Sequence, residues 1–430
     1  MIVGSANGQP GCIALEQCAA DNADRRDFLL RQQASCKNEA QPKSHNHDTT
    51  TLLEWALPQD PPTATFSKAG SNIPFLDRAG AWFLESGIQE PNGGVARYYL
   101  ADVKENRAIS TEITGYAISA FVYLHSMTHD GRYLAAGMSS AKFLKRTAWD
   151  PSLRLFPFEY SPEEAKGPAR AYFFDSGIIV CGLLALLRMT GDSELLEIAK
   201  ACGRSMAQDF AAGNSEFHPI LSLPDKAPLP RGEQWSRQPG CYQLKAALGW
   251  YDLYQETGEA EFLKWYEDML AVSLRTHHSF LAGAVGDLVM DRLHAYCYFL
   301  EGLLPRVDRP EIARVLAEGV GTVAAHLREI EPRFVRSDVY AQLLRLRLLV
   351  ECIGGEPVDR LTATSEAEKL ASFQLDSPDR RIRGGFFFAR RGDRLQPHVN
   401  PVSTAFGTQA LMMWRQYLAG ERKFEIDTLI

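Results

Sequence analysis

The stretch Leu184–Ala199, LALLRMTGDSELLEIA, joins two segments of different character, and the same kind of joint occurs three times in the chain. It is repeated at Val122–Gly137, VYLHSMTHDGRYLAAG, and at Tyr251–Tyr266, YDLYQETGEAEFLKWY. In each case a mostly apolar segment ends at a threonine, a short polar turn follows, and an amphipathic stripe then begins. The threonines, which recur at intervals of 62 and 67 residues, are Thr128, Thr190 and Thr257. This spacing predicts one long helical hairpin per repeat.

The same rhythm extends over most of the chain and predicts six hairpins. Mostly apolar helices are expected at about 110–128, 172–190, 240–256, 288–304, 337–353 and 402–417. Amphipathic helices are expected at about 74–88, 131–146, 192–209, 259–275, 310–328 and 363–374. A helix that is apolar on most faces must be surrounded by protein, whereas an amphipathic helix can face water on one side. The pattern therefore predicts an all-α domain with six inner helices inside a ring of six outer helices.

Loop lengths make the two ends of the predicted ring different. The turns from an inner to an outer helix are short, but most returns are long, at about 89–109, 147–171, 210–239, 276–287 and 375–401. Long loops in a compact domain are usually functional. All of these loops lead to the N-terminal ends of the inner helices, so we expect the functional site at that end of the ring.

Composition and charge exclude several classes of protein. The chain has 430 residues, of which 45% are apolar and 23% are charged, as expected for a globular protein with a large core. Its net charge of -7 argues against a general nucleic-acid binder. The sequence shows no uninterrupted apolar run of membrane-spanning length and no secretory leader pattern at its start. We therefore expect a cytoplasmic protein with no membrane span and no nucleic-acid partner.

The first part of the chain differs from the rest. Residues 1–68 are rich in polar residues and proline and are predicted to be a partly disordered extension, and residues 69–430 are predicted to form the helical domain. The extension holds a group of cysteines and histidines whose intervals match no pair of zinc ligands: Cys12, Cys18, Cys36, His45 and His47. We therefore expect no metal and no cofactor. The other five cysteines lie in or beside apolar segments and are predicted to be free thiols.

Three short motifs accompany the hairpin rhythm: GGV at 93–95, FFDSG at 173–177 and GGFFF at 384–388. With six hairpins over roughly residues 73–418, the chain resembles the (α/α)6 toroid of the six-hairpin glycosidases. It is similar, more loosely, to sugar epimerases and to enzymes that process uronic acids. The resemblance implies a carbohydrate-active enzyme. Because one fold can carry many activities, the reaction has to be argued from the site.

Carboxylates open four of the six predicted inner helices: Glu112, Asp175, Asp291 and Asp338. Acidic residues are also common helix caps, so each could have that role alone. A pair of carboxylates across a central pit suits glycoside hydrolysis, and a separation that leaves room for water favours inversion of configuration. We take Glu112, Asp175 and Asp291 as acid and base candidates. Resemblance to the unsaturated uronyl hydrolases makes Asp175 and Asp291 the counterparts of that family's aspartate pair.

Arginine and aromatic residues accompany these acids in the long loops. Arg170, Arg237 and Arg292 are candidates for binding the anionic group of a uronic acid, because a guanidinium group matches a planar carboxylate. They could equally form ordinary salt bridges at the rim. Candidate ring contacts to a sugar, which could instead be packing residues, are Tyr172, Trp235 and Tyr242.

Histidine offers a second chemistry. His294 follows Asp291 by three residues and so shares its helical face, where it could act as a general base in a lyase or an epimerase. It could also be a hydrogen-bonded core residue. His398 and Asn400 lie in the last long loop, at the predicted rim, and are candidates for contacting the substrate.

The sequence thus predicts, first, a hydrolase of an acidic, uronate-containing oligosaccharide. One alternative is a uronate lyase or sugar epimerase that uses His294 or His398. Another is a non-catalytic glycan-binding or assembly protein of polysaccharide biosynthesis, in which the acids only cap helices. An oligosaccharide or polysaccharide is the expected partner in all three cases.

Overall fold

The computed structural model describes residues 73–160, 169–232, 234–282, 284 and 286–430. The predicted extension, residues 1–68, lies outside the described residues. Within the described residues there are twelve α-helices. Their bounds are α1 Pro74–Glu85, α2 Thr111–Thr128, α3 Gly131–Phe143, α4 Phe173–Thr190, α5 Ser193–Asp209, α6 Leu244–Thr257, α7 Ala260–Thr276, α8 Leu288–Leu303, α9 Pro310–Ile330, α10 Ser337–Cys352, α11 Arg360–Ala371 and α12 Pro401–Leu418.

The even-numbered helices form a closed inner ring. Each packs against the next in the order α2, α4, α6, α8, α10 and α12, and α12 packs back against α2. Each odd-numbered helix packs on the outside of an inner helix: α3, α5, α7, α9 and α11 follow their partners in the chain, and α1 lies on α12. The architecture is the predicted (α/α)6 toroid. The predicted helices match the observed ones to within a few residues, except that α6 begins later because Cys241–Gln243 forms a separate 3-10 turn.

The repeated threonine has a structural role at each of the three hairpin joints. Its hydroxyl donates to the carbonyl oxygen four residues earlier and accepts from the backbone N–H two residues later. The residue after the threonine adopts a left-handed backbone conformation, with φ between 58° and 70°. These contacts satisfy backbone groups that a helix end leaves unpaired. The sequence motif thus ends one helix and leads directly into the next.

Helices α2 and α4 approach each other closely because glycines face each other across the contact. A Cβ atom added to Gly115 would lie 2.9 Å from the Cα of Ile179, and one added to Gly182 would lie 2.4 Å from the carbonyl oxygen of Gly115. A side chain at either position would therefore push the two helices apart. This close contact brings together the first turns of the two helices, which carry candidate site residues.

Short strands connect the loops, and their lengths of two or three residues explain why no alternating pattern in the sequence predicted them. Their bounds are β1 Tyr99–Leu100, β2 Glu105–Asn106, β3 Ile109–Ser110, β4 Glu159–Tyr160, β5 Arg170–Tyr172, β6 Ala211–Gly213, β7 Glu216–Phe217, β8 Ile220–Ser222, β9 Phe334–Arg336, β10 Ala389–Arg391, β11 Arg394–Leu395 and β12 His398–Val399. Strand β1 pairs antiparallel with both β12 and β2. The last long loop is thereby joined to the first, at the N-terminal ends of α12 and α2.

Helix α4 is the one described helix that is long and apolar enough to cross a membrane by length and composition alone. In the structure it is an inner helix of the ring and 61% of its residues are buried by other parts of the protein. The five cysteines of the helical domain are free thiols, as predicted.

Buried charges connect four inner helices inside the ring. Glu301 of α8 forms ion pairs with Lys245 of α6 at 3.1 Å and with Arg345 of α10 at 2.6 Å. The backbone oxygen of Ile430 accepts hydrogen bonds from both Lys245 and Arg345, at 3.4 and 3.2 Å. Gln409 of α12 accepts from Arg345 and from the backbone N–H of Ile430. The C-terminal segment is thus held inside the ring.

Candidate functional site

The first turns of α2 and α4 each carry an acid, Glu112 and Asp175, and the two acids interact electrostatically. The residues that precede the two helices are Ser110 and Tyr172, and the hydroxyl of Ser110 accepts a hydrogen bond from the backbone N–H of Ile113. Neither acid is therefore the N-cap of its helix. The two carboxyl groups interact electrostatically instead, because the negative charge of Glu112 raises the pKa of Asp175.

Burial dominates the ionisation of this pair. It raises the pKa of Asp175 well above its usual range, and the negative charge of Glu112 raises it further. Burial also raises the pKa of Glu112 to about 7, although the guanidinium group of Arg97 opposes the shift in both acids. The side chain of Asp175 is almost fully buried, and its Oδ2 atom makes no hydrogen bond with any described residue. Two neighbouring acids with raised pKa values can share a proton near neutral pH.

Aromatic side chains form the surroundings of the pair. The phenol groups of Tyr116 and Tyr298 lie next to each other, and the charge of Glu112 contributes to raising the pKa of each, after the larger effect of burial. Both rings contact Phe406 edge-on, with centroids 5.5 and 6.5 Å away. We call Glu112, Asp175, Tyr116 and Tyr298, together with His294, the acid cluster.

His294 of α8 joins this cluster through Tyr298, whose ring lies edge-on at 4.4 Å. The histidine Nδ1 atom is 2.8 Å from Oε1 of Gln342 and 3.6 Å from a carboxylate oxygen of Asp338. Because both neighbours are acceptors, Nδ1 carries the proton and Nε2 holds the lone pair. Burial lowers the pKa of His294 to about 4. The imidazole is therefore neutral at pH 7, with a basic nitrogen that makes no hydrogen bond to a described residue.

Arg336 organises a second group of acids next to His294. Its Nε and Nη2 atoms donate to the two carboxylate oxygens of Asp338, at 3.0 and 2.6 Å, and its Nη1 donates to Asp291 at 2.9 Å. Burial alone would raise the pKa of Asp338, but the charge and the hydrogen bonds of Arg336 oppose it, and that pKa lies below its usual value. Asp291 is thus held by Arg336.

The predicted aromatic binding residues pack against other aromatic rings of the protein. Tyr172, which follows Arg170 in β5, packs against Phe158 with ring centroids 4.8 Å apart. Trp235 lies edge-on to Tyr242 at 4.9 Å, and the Tyr242 hydroxyl donates to the backbone oxygen of Gln238.

The remaining predicted binding residues are His398, Asn400, Arg237 and Arg292. His398 stacks on Tyr98 at 4.8 Å, and Asn400 accepts hydrogen bonds from two backbone N–H groups as the N-cap of α12. Arg237 follows Trp235 by two residues in a 3-10 turn, and its Nε atom is buried and makes no hydrogen bond with the described residues. Arg292 donates to the backbone oxygen of Phe280 at 2.7 Å.

Sequence reasoning did not select Arg336, Gln342, Tyr116 or Tyr298 for the site. A signal was present for the first of these, because RSD at 336–338 places a cation two residues before an acid at a strand–helix junction. The tyrosines lie one turn or more inside apolar helices, where an aromatic residue is normally a core residue. Among the described residues, no group of three or more histidine, cysteine and acidic side chains could hold a metal ion.

No protein-family description and no curated protein matches this chain. Solved structures do match. The fold is that of the six-hairpin toroids.

A sugar epimerase from a ruminal bacterium superposes with a TM-score of 0.63 at 11% identity, over 79% of this chain and 96% of that one. A D-mannose isomerase gives 0.62 at 10% identity, over 82% and 100%. Cellobiose 2-epimerase from Bacillus thermoamylovorans B4167 gives 0.61 at 11% identity, over 79% and 99%. At this identity the likeness establishes the (α/α)6 toroid and leaves the reaction to be argued from the residues.

Proposed function

We propose that the protein is a carbohydrate-processing enzyme, and specifically a glycoside hydrolase in which Asp175 and Glu112 supply the acid and the base. The observation that carries the proposal is the pair itself: the buried carboxyl group of Asp175 and the half-buried carboxyl group of Glu112, both with raised pKa values, at the end of the ring where the long loops meet. Separated pKa values in a pair of acids are a common mark of acid and base catalysis. The fold likeness to sugar-converting enzymes supports a carbohydrate substrate.

The roles follow from the two environments. Asp175 is the more buried acid, and both burial and the negative charge of Glu112 raise its pKa, which favours the protonated form that can donate to the leaving oxygen. Glu112, with a pKa of about 7, is partly ionised and can activate a water molecule. Asp291 is not assigned a proton-transfer role in this proposal because Arg336 holds its charge.

Replacement of each acid by its amide tests the proposal. Asp175→Asn and Glu112→Gln should each lower the release of reducing ends from uronate-containing oligosaccharides by about 100-fold or more, as expected for loss of a general acid or base. Asp291→Asn serves as the matched control and should retain most of the activity. If both amide variants hydrolyse the substrate at the wild-type rate, the pair is not catalytic.

A sugar epimerase or isomerase is the second candidate, and His294 favours it. A neutral imidazole with a free Nε2 atom, oriented by Gln342 and Asp338, can remove a proton from a carbon next to a sugar carbonyl. Incubation of reducing sugars in deuterated water distinguishes the two candidates. Deuterium incorporation without cleavage, lost in His294→Gln and retained in Asp175→Asn, would support the epimerase and contradict the hydrolase.

A further inference from the structure

A cavity of about 180 Å³ lies beside the acid cluster, between the start of α6, the end of α7 and the start of α8. Two aromatic rings lead from it to the cluster. Trp235, in the cavity wall, contacts Tyr242, and Tyr242 contacts Phe174, whose ring is 4.8 Å from Tyr298. The rings of Tyr242 and Phe174 thus connect the cavity wall to Tyr298 of the acid cluster, and the cavity is large enough to receive one sugar ring.

The wall of the cavity is part apolar and part polar. Trp235, Pro239, Met269, Val272 and Phe280 line it. Apolar and aromatic surfaces of this kind bury the C–H face of a sugar ring, while polar groups at the edge fix its orientation.

Of the two charged side chains that line this cavity, Glu216 is paired with Arg231 at 3.6 Å, and Arg292 provides the positive charge. Its Nη1 atom donates to the backbone oxygen of Phe280, and its guanidinium group lies 5.8 Å from the Phe280 ring. Among the described residues, no acidic side chain pairs with Arg292, and its Nε and Nη2 atoms make no hydrogen bond. These two N–H groups form the edge of a guanidinium group that accepts a carboxylate in a bidentate manner.

The acid cluster, in contrast, is unsuited to an anionic sugar. Arg336 is fully engaged, since Asp338 and Asp291 take three of its nitrogen atoms. Arg97 forms an ion pair with Glu159 at 3.2 Å. A carboxylate brought next to this pair would meet the partly ionised Glu112 and would itself be desolvated, and both effects are costly.

We propose that the cavity is a binding subsite for a carboxylate-bearing sugar unit, with Arg292 holding the carboxylate and Trp235 contacting the ring, while a neutral unit of the same oligosaccharide occupies the acid cluster. The inference rests on the proposed function for the neutral unit, but binding at the cavity does not depend on turnover. The substrate class that follows is a mixed oligosaccharide in which the uronic acid is not the unit whose bond is attacked.

Calorimetric titration with methyl glucuronide, and with methyl glucoside as the neutral match, tests the subsite. The wild type should bind the glucuronide about tenfold or more tightly than the glucoside, because the difference is one charged bidentate contact. Arg292→Gln should remove that preference, and Arg292→Lys, which keeps the charge but not the two-pronged edge, should retain only part of it. Arg275→Gln, an equal charge change at an exposed position on α7, is the matched control and should bind as the wild type does.

Two results would overturn the subsite: equal affinity of the wild type for the two sugars, or a preference unchanged in Arg292→Gln. Asp175→Asn separates this proposal from the catalytic one, since it should keep the preference for glucuronide while losing turnover. A wild type that prefers glucuronide through Arg292 yet hydrolyses nothing would retain the subsite and reject the hydrolase.

Discussion

At the scale of single residues, Arg97 is the group that tunes the acid pair. Its positive charge lowers the pKa of both Glu112 and Asp175 against the larger effect of burial. Arg97→Gln should therefore raise both pKa values and move the acidic limb of the pH–activity profile to higher pH. The profile is measured on the activity of the enzyme with its oligosaccharide substrate, and Arg132→Gln, an exposed arginine on α3, is the control. A profile that does not move would show that Glu112 is not the group whose ionisation limits the rate.

The same acids should make the folded protein less stable at high pH. The pKa of Glu112 is about 7 in the fold and 4.5 in its reference state, so the folded protein binds the proton more tightly than the unfolded chain does. Stability is then fully present below pH 4.5 and is lost as the pH rises through 7. Glu112→Gln should remove this dependence and unfold with a free energy about 3 kcal/mol higher than the wild type at pH 8, but similar at pH 4. Urea denaturation at the two pH values measures the difference. If the substitution changes the free energy of unfolding equally at pH 4 and pH 8, the pKa of Glu112 is not raised in the folded protein.

At the scale of helices, the contact between α2 and α4 positions the two acids. Gly115→Ala should destabilise the fold by about 1–3 kcal/mol, because the added methyl group meets the backbone of Ile179. Gly131→Ala on α3 is the matched control, since no atom lies within 4 Å of its added Cβ. Chemical denaturation compares the two. Equal stabilities would mean that the helices can separate without cost, and that their close approach does not hold the acids together.

The helices were more predictable from the sequence than the arrangement of the site. Twelve helices follow from apolar periodicity and threonine joints, which are local signals. The pairing of the acids is not local. The sequence offered Glu112, Asp175 and Asp291 as candidates without choosing a pair, and only the family resemblance joined Asp175 to Asp291. In the structure Arg336, 45 residues further along the chain, binds Asp291, and the charge of Glu112 acts on Asp175. Such partners depend on how helices pack, which the spacing of residues does not reveal.

At the scale of the whole molecule, the buried charges inside the ring connect α6, α8 and α10 to the C-terminal segment, and they lie directly beside the acid cluster. The guanidinium group of Arg345 stacks on Phe406 at 4.2 Å, and Phe406 contacts both Tyr116 and Tyr298. Glu301 is the one acidic side chain that pairs with Lys245 and Arg345 among the described residues. Its charge therefore supports the aromatic surroundings of the site from inside the ring.

Glu301→Gln should accordingly be far more damaging than the loss of a surface acid. It leaves two buried cations without their carboxylate, which is expected to lower the free energy of unfolding by about 3–5 kcal/mol. Glu318→Gln removes an equal charge from an exposed pair with Arg314 on α9 and should change it by less than about 1 kcal/mol. Urea denaturation at pH 7 measures both variants. If the two differ by less than the error of the measurement, the charges inside the ring do not stabilise it, and the support of the site has to come from apolar packing alone.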